Sequence, residues 1–138
     1  MGLCEKKVQK YGDVLYVLFR VLVGFGFMLH GGQKLFGWFG GVNGGGAVAL
    51  ASLFGLAGVI EFFGGLAVLL GFFTRLAAGV GALEMAVAYV MVHRQQSWLP
   101  LLNGGDPAWL FFAAFLVLLV YGSGKWSAEK KLLKKEVF

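Results

Sequence analysis

Residues 47–73 read AVALASLFGLAGVIEFFGGLAVLLGFF, an apolar run that holds one ionisable side chain, Glu61. About 20 apolar residues at 1.5 Å rise each are enough to cross the hydrocarbon core of a bilayer. Three more stretches follow the same pattern. Val14 to Leu29 is interrupted by Arg20 and extends through His30-Gly31-Gly32 to Phe36. Leu76 to Val92 carries Glu84, and a last run begins at Pro107 and ends near Tyr121. Asp106-Pro107 suits a helix start, because Asp caps free amides and Pro fits the first turn. The sequence therefore predicts an all-α polytopic membrane protein, a four-transmembrane-helix bundle forming one domain over residues 1–138. Its helices are expected at about 14–36, 47–73, 75–93 and 107–122, with basic tails at 1–13 and 123–138.

Composition agrees with this. The chain has 138 residues, is 59% hydrophobic and only 14% charged, and contains 23 glycines. Soluble domains carry about 25% charged residues and about 7% glycine. Two prolines exclude collagen, and the lack of polar residues excludes disorder. Cys4 is the single cysteine, so no disulfide scaffold, Cys-x-x-Cys redox pair, iron–sulfur cluster or structural zinc site is expected, and no other metal site. It reads as a juxtamembrane thiol open to acylation.

Lysine and arginine set the orientation. Lys6, Lys7, Lys10, Arg75, Lys125, Lys130, Lys131, Lys134 and Lys135 lie on one side, against Lys34 and Arg94 on the other. Both termini are thus expected in the cytoplasm. No Ala-x-Ala cleavage site follows the first span, which is expected to be retained. The net charge of +5 sits on tails beside anionic lipid, so it does not indicate nucleic-acid binding. Trp126, Leu132, Leu133 and Val137 interleave with the tail lysines, a pattern for a short interfacial helix or a solvated tail. Gly24 and Gly26, Gly55 and Gly58, Gly64 and Gly65, and Gly79 and Gly81 are expected to let helices approach closely.

An ionisable group inside a span needs a partner or a function. Counted along the helices from the terminal side, Glu61 and Glu84 lie about 13 Å deep and Arg20 about 9 Å. The three are expected to form a buried charge network, either for proton movement or as a structural ion pair. His30 and His93 lie further out, at about 24–27 Å. Gln33 and Lys34 share the His30 face, and Tyr89 lies one turn below His93. His30, Gln33, Lys34, Tyr89, His93 and Asn103 form the expected ligand-binding set, and Glu61, Glu84, His30 and His93 are the candidates for any catalytic role. The plainer alternatives are loop-bonded histidines, a snorkelling Lys34 and Arg94, and a belt of Trp38, Trp98 and Trp109 at the outer interface.

The run Leu29-His30-Gly31-Gly32-Gln33-Lys34-Leu35-Phe36-Gly37 resembles the end of the first helix in DoxX family membrane proteins. Glu61-Phe62-Phe63-Gly64-Gly65-Leu66, leading to Leu70-Gly71-Phe72-Phe73-Thr74-Arg75, is similar too. So are Glu84 to Tyr89 with His93, Asn103-Gly104-Gly105, and Gly122-Ser123-Gly124-Lys125-Trp126-Ser127. Asp106 and Glu129 depart mildly from the pattern, standing where the family usually has Glu and Asp. The resemblance covers about residues 14–129. It implies a four-helix bundle in a prokaryotic cytoplasmic (inner) membrane and an association with redox processes. The family name comes from a quinone-linked sulfur-oxidising system, and a distant branch contains receptor-assembly chaperones.

Three functions are therefore expected candidates. The first is a quinone-linked oxidoreductase component, in which a partner subunit supplies electrons because the chain has no carrier of its own. The second is a non-catalytic assembly, chaperone or anchoring subunit. The third is a small proton-coupled transporter, for which four helices without repeats are few unless the protein oligomerises. Two histidines at one depth would suit a b-type haem, but nothing else selects for it. Partners are expected to be lipid and another protein chain or a second copy.

Overall fold

The computed structural model describes residues 8–137 and is all-helical, with no strand among the described residues. Cys4, Lys6 and Lys7 lie outside them. The elements are α1 (Gly12–Phe36), α2 (Leu53–Leu70), α3 (Thr74–Ala88, continued by a π turn over Tyr89–His93), α4 (Pro100–Asn103), α5 (Asp106–Tyr121) and α6 (Ala128–Leu133). Gly12–Phe36, Leu53–Leu70 and Thr74–His93 are long and apolar enough to cross a membrane. Helix α5 is equally apolar but has 16 residues, about 24 Å of rise. Leu22, Leu83, Leu110 and Val120 are each at least 60% exposed, the outer face of a protein solvated by lipid.

The second helix begins six residues later than its apolar run. Ser52 terminates the run from outside: its hydroxyl oxygen accepts a hydrogen bond from the Gly55 amide at 3.0 Å. Residues 47–51 instead stay outside the helix, tied to the last turn of α1 where the Val48 amide donates to the Lys34 carbonyl at 2.8 Å. At the other end α2 stops at Leu70 rather than at residue 73, because Gly71 adopts a left-handed φ of 70° and Phe73 one of 47°. These corrections leave α2 with 18 residues, about 27 Å and close to one hydrocarbon thickness.

Helices α1 and α2 pack antiparallel through bare backbone. A Cβ on Gly24 would come within 2.7 Å of the Gly65 carbonyl oxygen, and one on Gly65 within 2.7 Å of the Gly24 carbonyl oxygen. Gly31 lies on Phe62, and Gly58 on Lys34 and Leu35. Helix α3 joins α5 where Gly81 accepts the Phe115 ring. Phe27 and Phe115, edge to face at 4.6 Å, centre a small core with Val68, Ala78, Ala82, Met85, Ala108 and Leu118. Of the other glycines expected at close approaches, Gly26 lies tightly against the Phe111 ring, where a Cβ would come to 3.3 Å, whereas Gly64 and Gly79 face side chains at ordinary distances of 3.8 and 3.6 Å.

The carboxy-terminal segment folds under the end of the bundle that carries the termini. Ser127 caps α6, whose Lys130 amide donates to the Ser127 hydroxyl oxygen at 3.0 Å. Glu129 is fully buried; its carboxylate accepts from the Phe73 amide at 3.2 Å and the Val137 amide at 2.8 Å. Glu136 binds Arg75 at 3.0 Å, Lys130 at 2.8 Å and the Ser123 amide at 2.9 Å. The tail is therefore not a solvated chain: it holds a short helix, as expected, packed as a closure of the α2–α3 turn with Trp126 and Leu132 exposed.

Candidate functional site

The packing register decides which polar groups meet. Gly24 faces Gly65, Gly31 faces Phe62 and Lys34 faces Gly58, so Glu61 is level with the last turns of α1. Arg20 lies lower, where its guanidinium donates to the Ser123 and Leu69 carbonyls beside Gly71. Arg20 is thus not a member of the expected network with Glu61 and Glu84. The cause is the overhang of α1: its first turns run past the end of α2 and meet the segment after α5. There Tyr16 donates to the Gly122 carbonyl at 2.6 Å and Asp13 pairs with Lys125. Depth counted from the terminal-side end of each helix puts Arg20 too near the two carboxylates, because the α1 and α2 ends are not level.

Glu61 is bound by Lys34 instead. The Lys34 ammonium lies 2.7 Å from one carboxylate oxygen and 2.5 Å from the other, with the two side chains only 14% and 4% exposed. Helical side chains lean toward the helix N-terminus, so a lysine near the end of α1 points back into the bundle. This corrects the reading of Lys34 as a snorkelling cation. Arg94 behaves differently, stacking its guanidinium 4.2 Å from the Trp98 ring.

The ion pair lies in the wall of a groove of about 450 Å³ between α1, α2, α3 and the start of α5. His30, Lys34, Glu61, Glu84 and His93 supply its polar surface, and Phe27, Ile60, Met85 and Phe111 are among its apolar walls. Glu84 lies within electrostatic reach of Glu61 and Lys34, and one of its oxygens is buried without a hydrogen-bond partner. His30 meets Phe111 edge to face at 5.6 Å. His93 comes from the π turn, and its Nδ1 donates to the Asn103 carbonyl at 3.2 Å. Leu56, Leu83 and Val87 line the groove and are also exposed on the outside of α2 and α3, so it opens toward lipid.

Three members of the expected ligand set are used by loops. Gln33 donates to the Gly41 carbonyl at 3.1 Å, tying α1 to the turns that follow it. The Tyr89 hydroxyl donates to the Trp98 carbonyl at 2.6 Å. Asn103 is buried, donates to the Ser97 carbonyl at 2.8 Å and to the Tyr89 hydroxyl oxygen at 3.3 Å, and accepts from the Gly105 amide at 2.7 Å. The tryptophans do not share one role: Trp38 packs on Phe36 and Phe62, whereas Trp98 and Trp109 are more than half exposed. Glu129 and Glu136, which give the tail its order, stand outside the expected site; in the sequence they are the two acids of a lysine-rich tail, and Glu129 also takes the place of the family's usual Asp. Among the described residues no group of three or more His, Cys, Asp and Glu is placed to hold a metal ion.

The DoxX family profile matches residues 15–94, more than half of the chain. The chain belongs to the DoxX family. It is also 33% identical over 131 residues to a Haemophilus influenzae protein described as uncharacterized, covering 93% of this chain and 98% of that one. No solved structure matches. The DoxX match spans α1 to α3 and so includes His30, Lys34, Glu61, Glu84 and His93. The α5 side of the groove, with Ala108 and Phe111, lies beyond it.

Proposed function

We propose that the protein is a quinone-linked component of a prokaryotic cytoplasmic membrane, working with a partner subunit that supplies or takes electrons. The observation that carries this reading is the lipid-open groove with a buried ion pair and a carboxyl on its inner wall. A volume of about 450 Å³ falls within the roughly 300–1,000 Å³ of small-molecule sites. Apolar walls suit the ring and the first units of a lipid tail, which leaves through the gap flanked by Leu56, Leu83 and Val87. The few convergent polar groups suit ring oxygens that need hydrogen bonds.

In this reading α1, α2, α3 with its π turn, and α5 are four spans, and both termini face the cytoplasm. Lys10, Arg75, Lys125, Lys130, Lys131, Lys134 and Lys135 gather at the terminal end of the bundle. At the opposite end the Lys34 charge is taken up by Glu61, which strengthens the asymmetry. Trp126 and Leu132, exposed beside the tail lysines, form the face on which a partner subunit docks. That face is also what an assembly or anchoring subunit would use.

The test is thermal unfolding of the purified chain in lipid, with and without a short-chain quinone. A ligand at 100 times its Kd stabilises by about 2.7 kcal/mol. The midpoint is expected to rise, and the rise to shrink in Lys34→Met. No quinone recovered from gently extracted protein, together with no shift at saturation, would sink the redox reading and leave the assembly role.

A further inference from the structure

The groove holds two carboxyl groups and one ammonium, and the structure divides them unequally. Lys34 is committed to both oxygens of Glu61. Glu84 faces the same space with a buried oxygen that has no hydrogen-bond partner. The other titratable groups lining the groove are His30 and Lys34 from α1, Glu61 from α2, and His93 from the end of α3, while α5 contributes apolar surface. His93 spends its Nδ1–H on the Asn103 carbonyl, and neither histidine bonds to Glu84. An ionised carboxylate left in an apolar wall without a counterion is strongly disfavoured, and taking up a proton removes the charge.

We infer that Glu84 holds a proton in the resting protein and is the hydrogen-bond donor of the groove, while Lys34 and Glu61 form a fixed, neutral pair beside it. The site then takes a neutral ligand with an accepting carbonyl oxygen and rejects carboxylates and phosphates. An anion would find no free cation there, only a wall already neutral. The proton assignment follows from the side chains alone. The ligand class rests on the quinone reading given above.

Infrared difference spectroscopy of the full chain in lipid nanodiscs at neutral pH reads the protonated carboxyl directly, through its carbonyl band and the shift of that band in D2O. The wild type is expected to show the band, and Glu84→Gln to lose it. The double variant Lys34→Met/Glu61→Gln, which removes the neighbouring pair, is expected to keep it. A band that survives Glu84→Gln, or one lost in the double variant, puts the proton elsewhere and overturns the assignment. Should Glu84→Gln not fold, the double variant decides alone. Adding a short-chain quinone is expected to shift the band, with binding verified by the thermal midpoint. An unmoved band despite binding overturns the donor role. Absence of binding counts against the quinone reading only, and the proton assignment then stands on the spectra without ligand.

Discussion

Lys34 and Glu61 illustrate how a buried pair differs from a surface one. Removing one partner leaves the other without its counterion in an apolar wall, to stay charged or to change its protonation, and in buried pairs such a loss costs about 3–5 kcal/mol. Lys34→Met is therefore expected to lower the unfolding midpoint strongly. Lys34→Met/Glu61→Gln, which removes both charges, should recover most of the loss. A double-mutant cycle on thermal unfolding checks this, and additive losses would show that the two do not act as a pair. Asn103 is a second side chain whose value lies in what it satisfies. Asn103→Ala strands the Ser97 carbonyl and the Gly105 amide near the mouth of the groove, at about 1–3 kcal/mol each if they stay dry. Faster amide exchange over residues 95–105 is the expected readout.

Among the helices, glycine matters where a neighbour lies too close for a Cβ, whether that neighbour is backbone, as at Gly24 and Gly65, or the Phe115 ring, as at Gly81. Gly65→Ala drives a methyl group into the Gly24 carbonyl and the Met28 backbone, and overpacking of this kind costs about 1–3 kcal/mol. Gly79→Ala meets only Leu119 Cδ1 at 3.6 Å, so the helix propensity of alanine is expected to leave it neutral or up to about 1 kcal/mol more stable. Opposite signs in one unfolding series support the packing, and equal losses contradict it. The α6 closure carries a pH dependence. Glu136 is partly buried, which opposes ionisation, but the Lys130 ammonium, the Ser123 amide and Arg75 hold its carboxyl below the usual carboxylate range. A depressed folded-state value means that its contribution is present above the ordinary carboxylate range and is lost as the pH falls through the depressed value. Protease resistance of residues 128–137 should fall with acid in the wild type, and lose this dependence in Glu136→Gln.

For the bundle as a unit, the distribution of charge makes a topological prediction. In a Cys4→Ser background, Lys135→Cys is expected to react with a membrane-impermeant thiol reagent only after cells are opened. Phe39→Cys, at the opposite and strongly exposed end, is expected to react in intact cells. The reverse pattern would invert the orientation, and labelling of both in intact cells would break the four-span arrangement.

The membrane character, the helices and the list of ionisable groups inside them were all legible in the chain. Hydropathy and length act on consecutive residues, so 47–73 declares a span and Glu61 an exception within it. Which charges meet was not legible. Helices apolar all round carry little periodic signal to say which face turns inward, and nothing in one dimension fixes how far one slides along the next. Close contact of Gly24 with Gly65 sets that slide, and with it the level of Glu61 beside Lys34 rather than Arg20. The same limit hid the tail. Glu129 is one acid in a lysine-rich segment until the α2–α3 turn presents the Phe73 amide to it. Composition and local pattern were enough for the elements, while the site depended on long-range contacts, because rotation and register exist only between helices.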